Sequence, residues 1–164
     1  MKKKLTGIIA TLMLGSVLVG CGGATNSGSK NVSTSEIVKS IIDQVEVRKT
    51  APVEGELLTQ KFYLNMDDVE EQTIEEGQMN TGLEVVAVVK AKEGKAESVK
   101  RSFESAKLDK SSAAFYPGER EAVDASEIKV IGDYVGFFII PDYESEEGGS
   151  LADKAVEIFE NALK

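Results

Sequence analysis

The chain has 164 residues, a single cysteine, no histidine, no tryptophan and a formal charge of −9. An acidic balance of this size argues against nucleic acid as a partner and against a polybasic grip on anionic lipid. Without histidine the commonest general base and metal ligand are absent, and one cysteine allows neither an internal disulfide nor a cysteine zinc site. No cofactor and no metal is expected.

The chain starts with Lys2, Lys3 and Lys4, followed by an uncharged apolar run from Leu5 to Val19. That run is 15 residues long, short of the roughly 20 that a membrane-spanning helix needs. A basic start, an apolar run and the small residue Gly20 are the parts of a secretory signal peptide. Leu18-Val19-Gly20-Cys21 resembles the lipobox of bacterial lipoproteins. The resemblance implies cleavage between Gly20 and Cys21 and a diacylglycerol on the Cys21 thiol. The protein is then expected on the outer face of the cell membrane, held by its acyl chains. Losing residues 1–20 removes three lysines and no acids, which takes the charge from −9 to −12.

Residues 22–32, Gly-Gly-Ala-Thr-Asn-Ser-Gly-Ser-Lys-Asn-Val, read as a flexible tether that spans roughly 18 Å on average. The remaining residues, 33–164, suffice for one domain. Ser33 and Glu36 have capping-box spacing, and Val32 with Ile37 suits a hydrophobic staple. Ile37, Ile41, Ile42 and Val45 continue at helical spacing up to about Arg48, before Ala51-Pro52. Gly55 to Tyr63 fits either a short helix or an extended segment. Asn65 to Glu71 is acidic, but an EF-hand counted from Asn65 would place Val69 at position 5 and Glu70 at position 6. A solvated acidic turn or helix start is the expectation there.

A weak strand is predicted from Gln72 to Met79 and a clear one from Leu83 to Val89, whose unbroken apolarity suits a central, buried position. After Glu93-Gly94 a helix is expected with Ala96, Val99, Phe103 and Ala106 on one face, fading around 109–112. Phe115-Tyr116-Pro117-Gly118 predicts a turn that carries two aromatic rings. Such rings more commonly cover the edge of a core, and otherwise they meet a partner. Glu127–Ile131 and Tyr134–Ile140 around Gly132-Asp133 predict a hairpin ended by Pro141. Ser150 starts a last helix with Leu151, Ala155, Ile158, Phe159, Ala162 and Leu163 as its apolar stripe. The expected fold is α+β: one small domain with an antiparallel sheet of three to four strands covered by helices.

Asp67-Asp68-Val69-Glu70-Glu71, the valine-rich strand, the charged helix, Phe115-Tyr116-Pro117, Gly132-Asp133-Tyr134-Val135 and the final Asp142 loop and helix together resemble a family of small Gram-positive lipoproteins. The shared domain of that family is a domain of unknown function. The resemblance covers roughly residues 35–164; it implies a small α+β fold and supplies no catalytic residues. An enzyme would have to work with Asp, Glu, Ser, Lys or Tyr alone, as carboxylate-based glycosidases do, yet no spacing singles out a pair. A non-catalytic binding module at the envelope asks least of this sequence, with small-ligand capture as the alternative and a carboxylate hydrolase behind both. Phe115 and Tyr116 are the partner-binding candidates, and an envelope protein is the expected partner beside the membrane itself.

Overall fold

The computed structural model describes residues 30–78, 83–115, 118–145 and 149–164. Cys21, Gly20 and the tether up to residue 29 lie outside the described residues, as does Tyr116. The domain is built on an antiparallel sheet of five strands in the order β1-β2-β3-β5-β4. These are β1 Thr50–Pro52, β2 Val69–Gly77, β3 Val85–Ala91, β4 Glu127–Ile131 and β5 Tyr134–Ile139. The sheet has one strand more than the three to four expected, because no element is predicted for residues 50–52 after the first helix fades near Arg48. β1 has three residues and one of them is proline, so no local pattern marks it. Its strand character comes from pairing, Thr50 to Gly77 and Pro52 to Glu75.

Among the described residues five α-helices cover both faces: α1 Thr34–Gln44, α2 Leu57–Phe62, α3 Ala96–Ala113, α4 Glu119–Asp124 and α5 Ala152–Leu163. Because strand side chains alternate, β3 divides its valines between the two layers. Val85, Ala87 and Val89 pack with Phe62, Phe103 and Phe137 under α2, α3 and α4. Val86 and Val88 pack with Ile37, Ile41, Phe138 and Phe159 under α1 and α5. This two-sided cover is the cause of the unbroken apolar run in β3. It also buries Phe137 and Phe138, and Ile139 and Ile140, where a one-sided sheet would bury only one of each pair. Ile158, expected in the core, is only partly buried and flanks it.

The β4–β5 hairpin turns at Gly132-Asp133 as its sequence demands, with Gly132 at φ 58°. Gly136 in β5 has a different reason for being glycine. A Cβ there would stand 2.6 Å from Phe138 Cζ, so the missing side chain makes room for a ring that packs edge-on to Phe159 at 5.8 Å.

Two segments depart from the sequence reading. The acidic stretch forms a 3-10 turn, Met66–Asp68, but Asp68 is not solvated. It is buried, paired with Lys95 at 3.0 Å and bonded by the Ser98 hydroxyl at 2.8 Å. The ambiguous 55–63 segment resolves as α2, ended by Tyr63 in the left-handed region at φ 56°. Residues 119–124, for which no element is predicted, form α4.

Candidate binding surface

α3 begins at the end of the sheet where Lys90 of β3 pairs Tyr134 of β5, and Lys95 just before it binds Asp68 there. Its buried face, Val99, Phe103 and Ala106, holds it along the sheet toward the opposite end. There the Lys110 ammonium meets Glu76 Oε1 at 2.7 Å, and Lys61 takes the other oxygen of the same carboxylate. Burial alone would raise the Glu76 carboxyl, but the hydrogen bonds from Lys110 and Lys61 bring it below its ordinary value. Burial in turn lowers the Lys110 ammonium.

Two residues beyond α3 the chain presents Phe115, 84% exposed, the most exposed large apolar side chain described. Leu108, seven residues earlier on α3, is 69% exposed. The expectation that the Phe115 ring covers the edge of the core is therefore corrected: α4 closes that edge with Ala122 and Val123 instead. The backbone of Phe115 is nevertheless held in place. Its N–H donates to Glu119 Oε2 at 3.2 Å, and the Gly118 N–H donates to Glu121 Oε2 at 2.7 Å. Gly118 at φ 87° supplies the backbone shape that an L side chain resists. The first turn of α4 thus supplies both the acceptors for the Phe115 and Gly118 N–H groups and an acidic border beside Phe115.

A second polar group lies at the same end of the sheet, on the α1 face. Glu84, immediately before β3, is 1% exposed. Its Oε1 accepts from the Tyr143 hydroxyl, while its buried Oε2 has no hydrogen-bond partner among the described residues. The Arg48 guanidinium stacks on the Tyr143 ring, 3.2 Å from its centroid. Burial, then the bond to Glu84, raises the Tyr143 phenol, which stays protonated as the donor. A Cβ on Gly77 would stand 2.3 Å from Glu84 Oε2, so glycine is what lets the carboxylate lie there. This cluster straps the chain after β5 onto the sheet. Sequence reasoning missed it, since Arg48, Glu84 and Tyr143 share no local spacing.

The third feature is an open depression of about 480 Å³ lined by Thr59, Tyr63, Leu64, Asn65, Met66 and Asp67. Among the described residues no group of three or more acidic, histidine or cysteine side chains is placed to hold a metal ion. Among them, too, no helix is long and apolar enough to cross a membrane.

Residues 43–140 match the family described as Domain of unknown function (DUF4358). The chain belongs to the DUF4358 family. The match is narrower than the span expected from the resemblance. It takes in β1 through β5, Arg48, Glu84 and the Phe115 turn, and leaves outside it Cys21, most of α1 and all of α5. Neither a search of curated proteins nor one of solved structures found a match. The DUF4358 chain therefore takes its functional reading from its own residues.

Proposed function

We propose that this DUF4358 protein is a lipid-anchored envelope protein whose domain is a non-catalytic binding module. Phe115 is the centre of the surface it offers to a protein partner. The observation that carries the reading is an exposed aromatic ring on a backbone fixed by Glu119. A backbone held in place before contact loses little freedom on docking, and aromatic side chains are enriched in binding hot spots. The carboxylates of Glu119 and Glu121 beside it, on a chain of strongly negative charge, select a partner with an apolar pocket and a basic rim. Attachment is through Cys21, where two acyl chains give the double signal that stable anchoring takes.

Capture of a small ligand is the second reading, and the depression between Tyr63 and Asp67 is what favours it. Its width to solvent and the outward-facing Tyr63 and Met66 suit a protein surface better than an enclosing pocket.

Two measurements test the proposal. Mass spectrometry of the mature chain from its bacterial host should find a diacylglycerol on an N-terminal Cys21, absent from Cys21→Ser; any other mature N-terminus overturns the anchor. A photo-crosslinking residue next to position 115 should trap one defined protein in intact cells. Phe115→Ser with Tyr116→Ala should abolish the crosslink at an unchanged melting temperature. An undiminished crosslink removes Phe115 from the interface.

A further inference from the structure

The geometry points to an orientation: the domain stands on the membrane with the Phe115 end of the sheet outward, so its protein partner is met on the side away from the bilayer. This rests on the lipid-anchored reading above and adds to it the face that is available.

The chain enters the fold at a fixed place. Tyr134 donates its hydroxyl to Val32 O at 2.7 Å and accepts the Val32 N–H at 3.1 Å. Asn31 Oδ1 accepts from the Lys90 ammonium at 3.0 Å, and the Lys30 N–H donates to Leu163 O at 3.3 Å. Lys90 and Tyr134 are register partners at one end of the β3–β5 ladder. The backbone of Val32 is thus pinned to that end, and a pull exerted through Cys21 is delivered there.

Phe115 belongs to the other end. The β3–β5 ladder closes there with Val85 opposite Ile139, and Glu76 of β2 pairs Val85. The Lys110–Glu76 bridge puts the last turns of α3 at the same place. α3 has 18 residues, so it carries the chain about 27 Å from the entry end. Residues 22–29 between the lipid cysteine and the first pinned residue number eight. Fully extended they reach about 28 Å, and as a Gly/Ser-rich coil about 16 Å. At its average span such a tether is shorter than α3, so the far end comes down to the headgroups less often than the entry end does. Glu119 and Glu121 beside the ring oppose that approach as well, since an anionic bilayer repels them. The partner that fits is therefore a protein standing outward of the membrane, with an apolar pocket and a basic rim.

The test uses the processed chain, with Cys21 coupled through a maleimide lipid to phosphatidylcholine–phosphatidylglycerol vesicles. Cys21 is the sole cysteine, so coupling is specific and imposes the tether whether or not cells acylate it. A fluorophore is attached by cycloaddition to an unnatural residue at position 115 or, as the near-end reference, at the exposed Glu93 beside the entry end. The vesicles carry a headgroup-linked energy acceptor. Transfer from position 93 should exceed that from position 115 several-fold at low and at moderate salt. Equal transfer, or more from 115, overturns the orientation. Failure of the lipid-anchor reading would show instead as unmodified Cys21 in cells and would leave the vesicle result unchanged.

Discussion

Glu71 of β2 caps α1 from across the fold: its Oε1 accepts the backbone N–H of Thr34 at 3.0 Å. The same oxygen accepts the hydroxyls of Ser33 at 2.7 Å and Thr34 at 3.1 Å. Burial of Glu71 raises its carboxyl, but these three donors outweigh burial and hold it below the ordinary value. Glu36, the capping partner expected from spacing, is exposed. A tertiary contact thus adds to the local cap, in which the Ser33 hydroxyl accepts the Ser35 N–H at 3.3 Å.

Glu71→Ala should therefore cost about 1–2 kcal/mol, the range of a lost cap, although Glu71 lies 37 residues from Thr34. Glu36→Ala should stay within about 0.5 kcal/mol. Urea unfolding of the two variants checks both, and reversed magnitudes would return the cap to Glu36.

Gly136→Ala should cost about 1–3 kcal/mol by overpacking, because the new methyl meets Phe138 Cζ and Cε2 at 2.6 and 2.8 Å. Phe159→Ala, a fully buried ring, should cost about 3–5 kcal/mol. The double variant should lose less than the two together, since the cavity at 159 lets the Phe138 ring move aside. Strict additivity in chemical denaturation would refute that account of the glycine.

Acid should destabilise the domain through three carboxylates. Asp68, held down by Lys95 and then Ser98, Glu71 and Glu76 all sit below their reference values of 3.8 and 4.5. A depressed folded value contributes stability that is complete above the unfolded value and lost as pH falls through the folded one. The melting temperature should thus be nearly level between about pH 7 and 5 and drop below about 4.5. Replacing Asp68 with Asn and Glu71 with Gln should lower the neutral plateau and flatten the acid limb. A plateau extending to about pH 3 would mean that these contacts do not stabilise the fold.

Elements whose pattern is local were legible in the sequence. The Gly132-Asp133 hairpin, the valine run of β3 and the stripes of α1, α3 and α5 each carry their own period, and each appears with bounds shifted by a few residues. β1 and α4 were missed because their signals are not local. β1 is strand-like only against Thr50's and Pro52's partners in β2, and α4 has just six residues behind a glycine turn. The acidic segment misled for a related reason, since nothing in Asp67-Asp68 reveals that Lys95 waits 27 residues on for Asp68. For the candidate surface, the sequence marked Phe115 but favoured the wrong role for it. Whether a loop ring is covered depends on α4, which the sequence reading did not contain. The Arg48–Tyr143–Glu84 strap unites three distant segments and left no trace in any window of the chain.

The two outer strands bear on how such a domain survives at high local concentration. β1 is three residues long and ends in Pro52, which lacks the N–H that an added strand would need. β4, at the other rim, spaces Glu127 and Lys129 along its five residues, and charges on an outer strand disfavour recruitment of a second one. Crowded copies thus have no long, flat backbone row on which to template one another. Fibril growth from the native state must first strip away one of these rims.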